Sequence, residues 1–234
     1  VHIGINNCEK AIRINNALRI YLPLLLALST SSPFFEGEDT GLYSYRTKLF
    51  EALPLAGMPD HLNDWNHFEN LTEQLQNAGI IKSVKDLWWD VRPHPGFGTV
   101  EIRVCDIPVN FKAILSLVAL IQALVVTLGK TDYYSDTHTH IQILQSNKWQ
   151  AVRYGLEGIF VDPKTIQKKT MRKTIENLCT LIEPALNSLG STKYIKTIEE
   201  ILNQGTGSTK QRKLYNSSND FKCMLRSLRQ QFYQ

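Results

Sequence analysis

The 234-residue sequence is poor in cysteine, and the cysteines it has show none of the spacings that build a scaffold. Cys8, Cys105, Cys179 and Cys223 are scattered, with no C-x-x-C pair, which leaves zinc and disulfide frameworks without support. Reduced thiols in a cytoplasmic protein are expected, with Cys105 a small buried hydrophobe. A phosphate-cradling G-x-x-x-x-G-K-[ST] loop is missing, and so is G-x-G-x-x-G. Any nucleotide site must then rest on acids, metals and arginines on a sheet. No charge-free apolar run reaches the roughly 20 residues that cross a bilayer. Ala17 to Leu28 is too short, and Phe111 to Leu128 carries Lys112, Ser116 and Gln122. Both read as buried core helices, and no membrane partner is expected. The first residue is Val1, inside what reads as a strand, and no signal peptide is visible. A piece of a larger protein is the expectation.

A dense basic face is also missing. The net charge is +4 and the isoelectric point about 8.8. The surplus sits late, in Lys164, Lys168, Lys169, Arg172, Lys173, Lys210, Arg212 and Lys213, without interleaved aromatics. Solvated helix faces explain such runs, so no nucleic-acid partner is expected. Asp136-Thr137-His138-Thr139-His140 reads as an incidental loop rather than a metal site. Internal repeats and low-complexity tracts are absent.

What is present is an α+β pattern. Short strands are expected at Val1–Ile5, Leu87–Val91 and Thr99–Cys105, the last two joined by a Pro93-His94-Pro95-Gly96 turn. Helices are expected over Glu9–Ser31, with Pro23 as a kink or break, then Ser44–Leu53 and Asp64–Ala78. Asn110 caps an apolar helix to Leu128. Further helices follow over Thr139–Gly155, Thr170–Leu189, Thr192–Asn203 and Ser218–Phe232, with Thr206–Thr209 a polar linker. A small, mostly antiparallel sheet over 1–109 packs with helices, and 110–234 is largely helical.

The chemistry concentrates in Asp86–Asp106, D-L-W-W-D-V-R-P-H-P-G-F-G-T-V-E-I-R-V-C-D. Strand alternation puts Glu101 and Arg103 on one side. A carboxylate and a guanidinium there, beside Asp106, are able to grip a metal and a polyphosphate, or to form a surface ion-pair ladder. Arg92 is set to pair with Asp90 or to point at a nucleotide. Of Trp88 and Trp89, alternation turns one inward and frees the other to line a pocket; Trp89 is the candidate. Arg46 has the planar shape for a carboxylate or phosphate, or for a salt bridge with Glu51.

This segment resembles the signature of the second glutamate–cysteine ligase family, the bacterial carboxylate–amine ligases. Val1-His2-Ile3-Gly4-Ile5 resembles its H-x-G strand. Asn16–Arg19 with Tyr21–Ser29 resembles its first long helix. Ser31–Phe34, Gly37, Asp39–Gly41, Ser44–Arg46 and Phe50–Pro54 follow in the family's order. Trp149, Ala151–Gly158, Asp162-Pro163, Gly205, Gly207 and Gln211-Arg212 continue it. The resemblance covers nearly the whole chain. It implies a glutamine-synthetase-like catalytic fold and an ATP-dependent ligase that joins glutamate to cysteine, or to another amine, through an acyl phosphate. It implies Mg²⁺ on Glu101, with His2 near metal or nucleotide, and Arg103 at the transferring phosphoryl group. Arg46 is the second catalytic candidate. Arg92, Arg153 and Trp89 are the cofactor-side candidates, and Arg212 reads as an interface or helix-capping arginine. The family's glutamate–cysteine activity is weak, and it carries a further third of chain upstream, with an acidic strand; its absence here puts two or more metal ligands in doubt, so this piece alone is expected to turn over poorly or not at all. A companion N-terminal segment or a homo-oligomer is left open, and a non-catalytic module for assembly or regulation is the alternative.

Overall fold

The structure, a computed structural model, describes residues 1–130 and 139–233. The Asp136–His138 part of the histidine-bearing loop lies outside the described residues. The chain begins with β1 (His2–Gly4) and α1 (Cys8–Ser29), then β2 (Phe34–Phe35), β3 (Glu38–Asp39), α2 (Tyr45–Glu51), β4 (Ala56–Gly57) and α3 (Trp65–Asn77). There follow β5 (Trp88–Trp89), β6 (Val91–His94), β7 (Thr99–Ile102), α4 (Phe111–Leu128) and α5 (Ile141–Tyr154). The remainder is β8 (Ile159–Val161), β9 (Lys168–Thr170), α6 (Met171–Ser188), α7 (Ile195–Gln204), α8 (Gly207–Ser218) and α9 (Phe221–Gln231). The class is α+β, as expected.

Helix starts follow local side-chain chemistry. Asn7, Asp64, Asn110 and Thr170 each accept a backbone N–H from the first turn of α1, α3, α4 and α6. Helix α1 is the centre of the molecule. Eighteen of its residues are buried, and it packs against α4, α5, α6 and the sheet. Pro23 does not break it. Of the kink or break expected there, the break does not occur, because burial on every side outweighs one lost backbone hydrogen bond. Helices α1 and α4 are long and apolar enough to cross a membrane, yet 94% of the α1 window is buried within the fold.

The main sheet has the order β1-β7-β6, antiparallel throughout. The expected hairpin shifts. Pro93 lies inside β6, opposite Val100, and the turn is Pro95–Gly98. Proline is tolerated because β6 is an edge strand. Gly98 closes the turn at φ 60, a left-handed conformation costly to other residues. The stretch expected to be one strand over Leu87–Val91 divides. Trp88–Trp89 pairs in parallel with Ala56–Gly57, apart from the main sheet. The expected linker at Thr206–Thr209 is instead the cap and first turn of α8. Its polar sequence hid the helix, which tertiary hydrogen bonds hold.

Candidate functional site

The three-stranded sheet has two unlike faces. Register places Ile3, Val100 and Pro93 in one row and Val91 and Ile102 in another, and Val91, Val100 and Ile102 are buried in the core with α1. Alternation turns the next row, His2–Glu101–Arg92, to the opposite face, with Thr99 and His94 beside it. One carboxylate thus lies between a histidine and an arginine on neighbouring strands.

Glu101 is 8% exposed and both its oxygens are held. Arg92 Nε donates to Oε2 at 2.7 Å, and Arg103 Nη1 donates to Oε1 at 2.9 Å. His2 Nε2 stands 3.5 Å from Oε1. Burial alone raises the carboxyl pKa, but the hydrogen bonds and charges of Arg92 and Arg103 outweigh it and hold it below the ordinary value. Burial lowers the His2 pKa against the pull of Glu101. Arg92 is 3% exposed, and its Nη1 donates to the Val84 and Leu87 carbonyls. Of the two alternatives for Arg92, the pair with Asp90 is not formed. Across an antiparallel ladder Arg92 faces Glu101, whereas Asp90 takes Lys148.

Arg103 leads away from this row. Its guanidinium lies 5.9 Å from the Trp88 ring, Trp88 lies 5.4 Å from Phe50, and Arg46 sits 4.6 Å over Phe50. The two candidate arginines therefore flank one aromatic pair and line one small cavity with Asp90 and Lys148. Its volume is about 20 Å³, room for a single water. The tryptophan assignment reverses. Trp88 lines this cavity, while Trp89 packs on the apolar cluster of Ile12, Leu62, Phe68, Ile81 and Leu87. Alternation was right that one ring turns inward, but the sequence pattern did not say which.

Sequence reasoning missed Lys148. Its side chain is 3% exposed, 2.9 Å from Glu51 and in contact with Asp90. Burial pushes the Asp90 carboxyl up even against Lys148, and the Lys148 and Lys48 charges overcome burial to lower Glu51. The signal was available: Leu144, Lys148 and Ala151 share a buried helical face, where a lysine is out of place. The alternative salt bridge of Arg46 with Glu51 is not formed either. Arg46 stands 3.7 Å from Asp106. Asp106 also accepts from Ser31 N, Ser32 Oγ and Ser44 Oγ, so it organises the loop that presents Arg46.

Arg153 and Arg212 meet elsewhere, on the Asp39–Tyr43 loop. Arg153 donates to the Gly41 carbonyl. Arg212 grips Asp39 with Nε at 2.8 Å and Nη2 at 2.7 Å, lowering the Asp39 pKa chiefly through that hydrogen bond. From the same helix Gln211 donates to Ser31 O at 2.7 Å and Ser208 to the Tyr43 carbonyl. Gly207 permits this docking, since a Cβ there would stand 2.6 Å from Ser31 Oγ.

Among the described residues no group of three His, Cys, Asp or Glu converges to hold a metal ion. Glu101 and His2 form a pair only, and both Glu101 oxygens already accept from arginines. Magnesium prefers several oxygen ligands, and these two residues alone do not supply them.

The fold is that of a glutamate–cysteine ligase. The crystal structure of glutamate–cysteine ligase from Francisella tularensis, solved in complex with AMP, superposes with a TM-score of 0.69 at 14% identity, over 96% of this chain and 58% of that one. The family model described as glutamate–cysteine ligase family 2 matches residues 1–230, and the chain belongs to that family. A relative from Gloeobacter violaceus, provisionally named glutamate–cysteine ligase 2, is 40% identical over 230 residues. One from Solibacter usitatus with the same provisional name is 37% identical over 224. The alignments cover 97% and 95% of this chain but 62% and 58% of those relatives. The chain thus spans about three fifths of their length.

Proposed function

We propose that this chain carries the phosphate-handling face of an ATP-dependent carboxylate–amine ligase of the glutamate–cysteine type. In this reading a carboxylate oxygen of glutamate attacks the γ-phosphorus of ATP, the bond to the bridging oxygen breaks, and ADP leaves. The amine of cysteine, or of another acceptor, attacks the acyl carbon. The carbon–oxygen bond to phosphate breaks, phosphate departs, and the amine proton passes to solvent.

Arg103 and Arg46 take the catalytic roles. Two planar cations flanking the Trp88–Phe50 pair match the spread charge of a transferring phosphoryl group. Glu101 acts on Arg103 by fixing its fork. Arg92 anchors Glu101, and His2 completes the row. Magnesium, if carried in with the nucleotide, would draw most of its ligands from phosphate and water. The observation that carries the reading is the Arg46–Phe50–Trp88–Arg103 arrangement beside Glu101, in a chain of this family. Arg153 we assign to holding the Asp39–Tyr43 loop at Gly41. The scattered free thiols are consistent with a cytoplasmic protein.

The small volume of that cavity, about 20 Å³, favours a second reading, a ligase-like module without catalysis. Glutamate-dependent release of phosphate from ATP distinguishes the two. The ligase reading expects Glu101→Gln and Arg103→Ala each to lower the rate at least tenfold. Rates unchanged in both variants, measured with the companion N-terminal segment present, establish the module.

A further inference from the structure

We propose that a second cleft, between α7, α8 and the start of α4, binds an organic phosphate with an apolar body. This site is separate from the sheet face and does not rest on the function proposed above. The cavity measures about 550 Å³, within the range of small-molecule sites. Its inner wall is apolar, made by Leu28, Val109, Ala113, Ile201 and Leu214. Its polar side comes from one face of α8, where Thr209, Lys210 and Lys213 line the same cavity.

These three side chains are not spent on the protein. Among the described residues Lys210 and Lys213 have no acidic partner, and the Thr209 hydroxyl has no hydrogen-bond partner. The contrast is with the opposite face of the same helix, where Ser208, Gln211 and Arg212 are all engaged with the Ser31–Tyr43 loop. One acid, Glu200, lines the cavity against the two ammonium groups. The balance is cationic at one side and apolar within. Phosphate oxygens suit the lysines and the threonine hydroxyl, and a flat ring or hydrocarbon suits the inner wall.

Calorimetric titration of the chain with AMP, adenosine and inorganic phosphate tests this. AMP is expected to bind at least tenfold tighter than either part alone. Lys210→Ala/Lys213→Ala is expected to weaken AMP tenfold or more, and Thr209→Val to weaken it severalfold, with circular dichroism unchanged. The proposal is overturned if AMP does not saturate. It is equally overturned if phosphate alone binds as tightly as AMP, or if the lysine double variant binds AMP like the parent. AMP lost in Arg103→Ala but kept in the double variant would place the nucleotide on the sheet face and also overturn it.

Discussion

Arg92 and Glu101 face each other across β6 and β7, with Nε 2.7 Å from Oε2 and the two residues 3% and 8% exposed. This buried pair is the pivot of the sheet face. Its arginine also fastens the Val84–Leu87 turn, and its carboxylate fixes the next arginine along the strand. Removing one member of such a pair strands a charge out of water. Arg92→Ala is expected to destabilise the fold by about 3–5 kcal/mol, whereas Arg103→Ala, whose side chain is 28% exposed, costs under about 1 kcal/mol. Urea denaturation of both variants checks the difference.

The same carboxylate sets a pH dependence. Its folded pKa lies below its ordinary value of 4.5, so its stabilising contribution is complete above that pH and is lost as pH falls through the folded value. Asp39 and Glu51 act with the same sign, while the raised Asp90 acts with the opposite one. Urea midpoints from pH 7 to pH 3 should fall on the acid side. Glu101→Gln should flatten that slope.

Lys148 neutralises two acids from one buried position. Lys148→Met leaves Asp90 in a buried site without its cation and Glu51 with Lys48 alone. The expected loss is about 3–5 kcal/mol, and adding Asp90→Asn should restore part of it. A double-mutant cycle in urea measures that coupling.

The thiols separate by burial. Cys105 and Cys179 are pushed up to about 11 by burial, whereas Cys8 and Cys223 are exposed. A thiol reagent at pH 8 should label Cys8 and Cys223 in the native protein fast, and the half-buried Cys105 and Cys179 far more slowly until the protein unfolds. Fast native labelling of Cys105 would contradict its placement.

Much of the fold is legible because local rules agree with the packing. Asn110 capping an apolar run and Asp64 opening an amphipathic one are decided within four residues. The E-x-R pair on one face follows from alternation alone. What the sequence hides is decided by distant chain. Pro93 is tolerable only because β6 proves to be an edge, and Pro23 only because α1 is enclosed. Helix α8 has a polar sequence, and its hydrogen bonds to Ser31, Asp39 and Tyr43 reach back by more than 160 residues. Partner choice is hidden for the same reason. Arg46 and Arg92 each had a nearby acid in sequence, Glu51 and Asp90, and each takes another, Asp106 and Glu101.

The most direct test of the phosphate-handling face is the ATP affinity of the chain and of its Arg46→Ala and Arg103→Ala variants. Titration calorimetry, with circular dichroism as a check on folding, is expected to show each variant binding ATP at least tenfold more weakly with its fold intact. Parent-like ATP affinity in both folded variants would contradict the account.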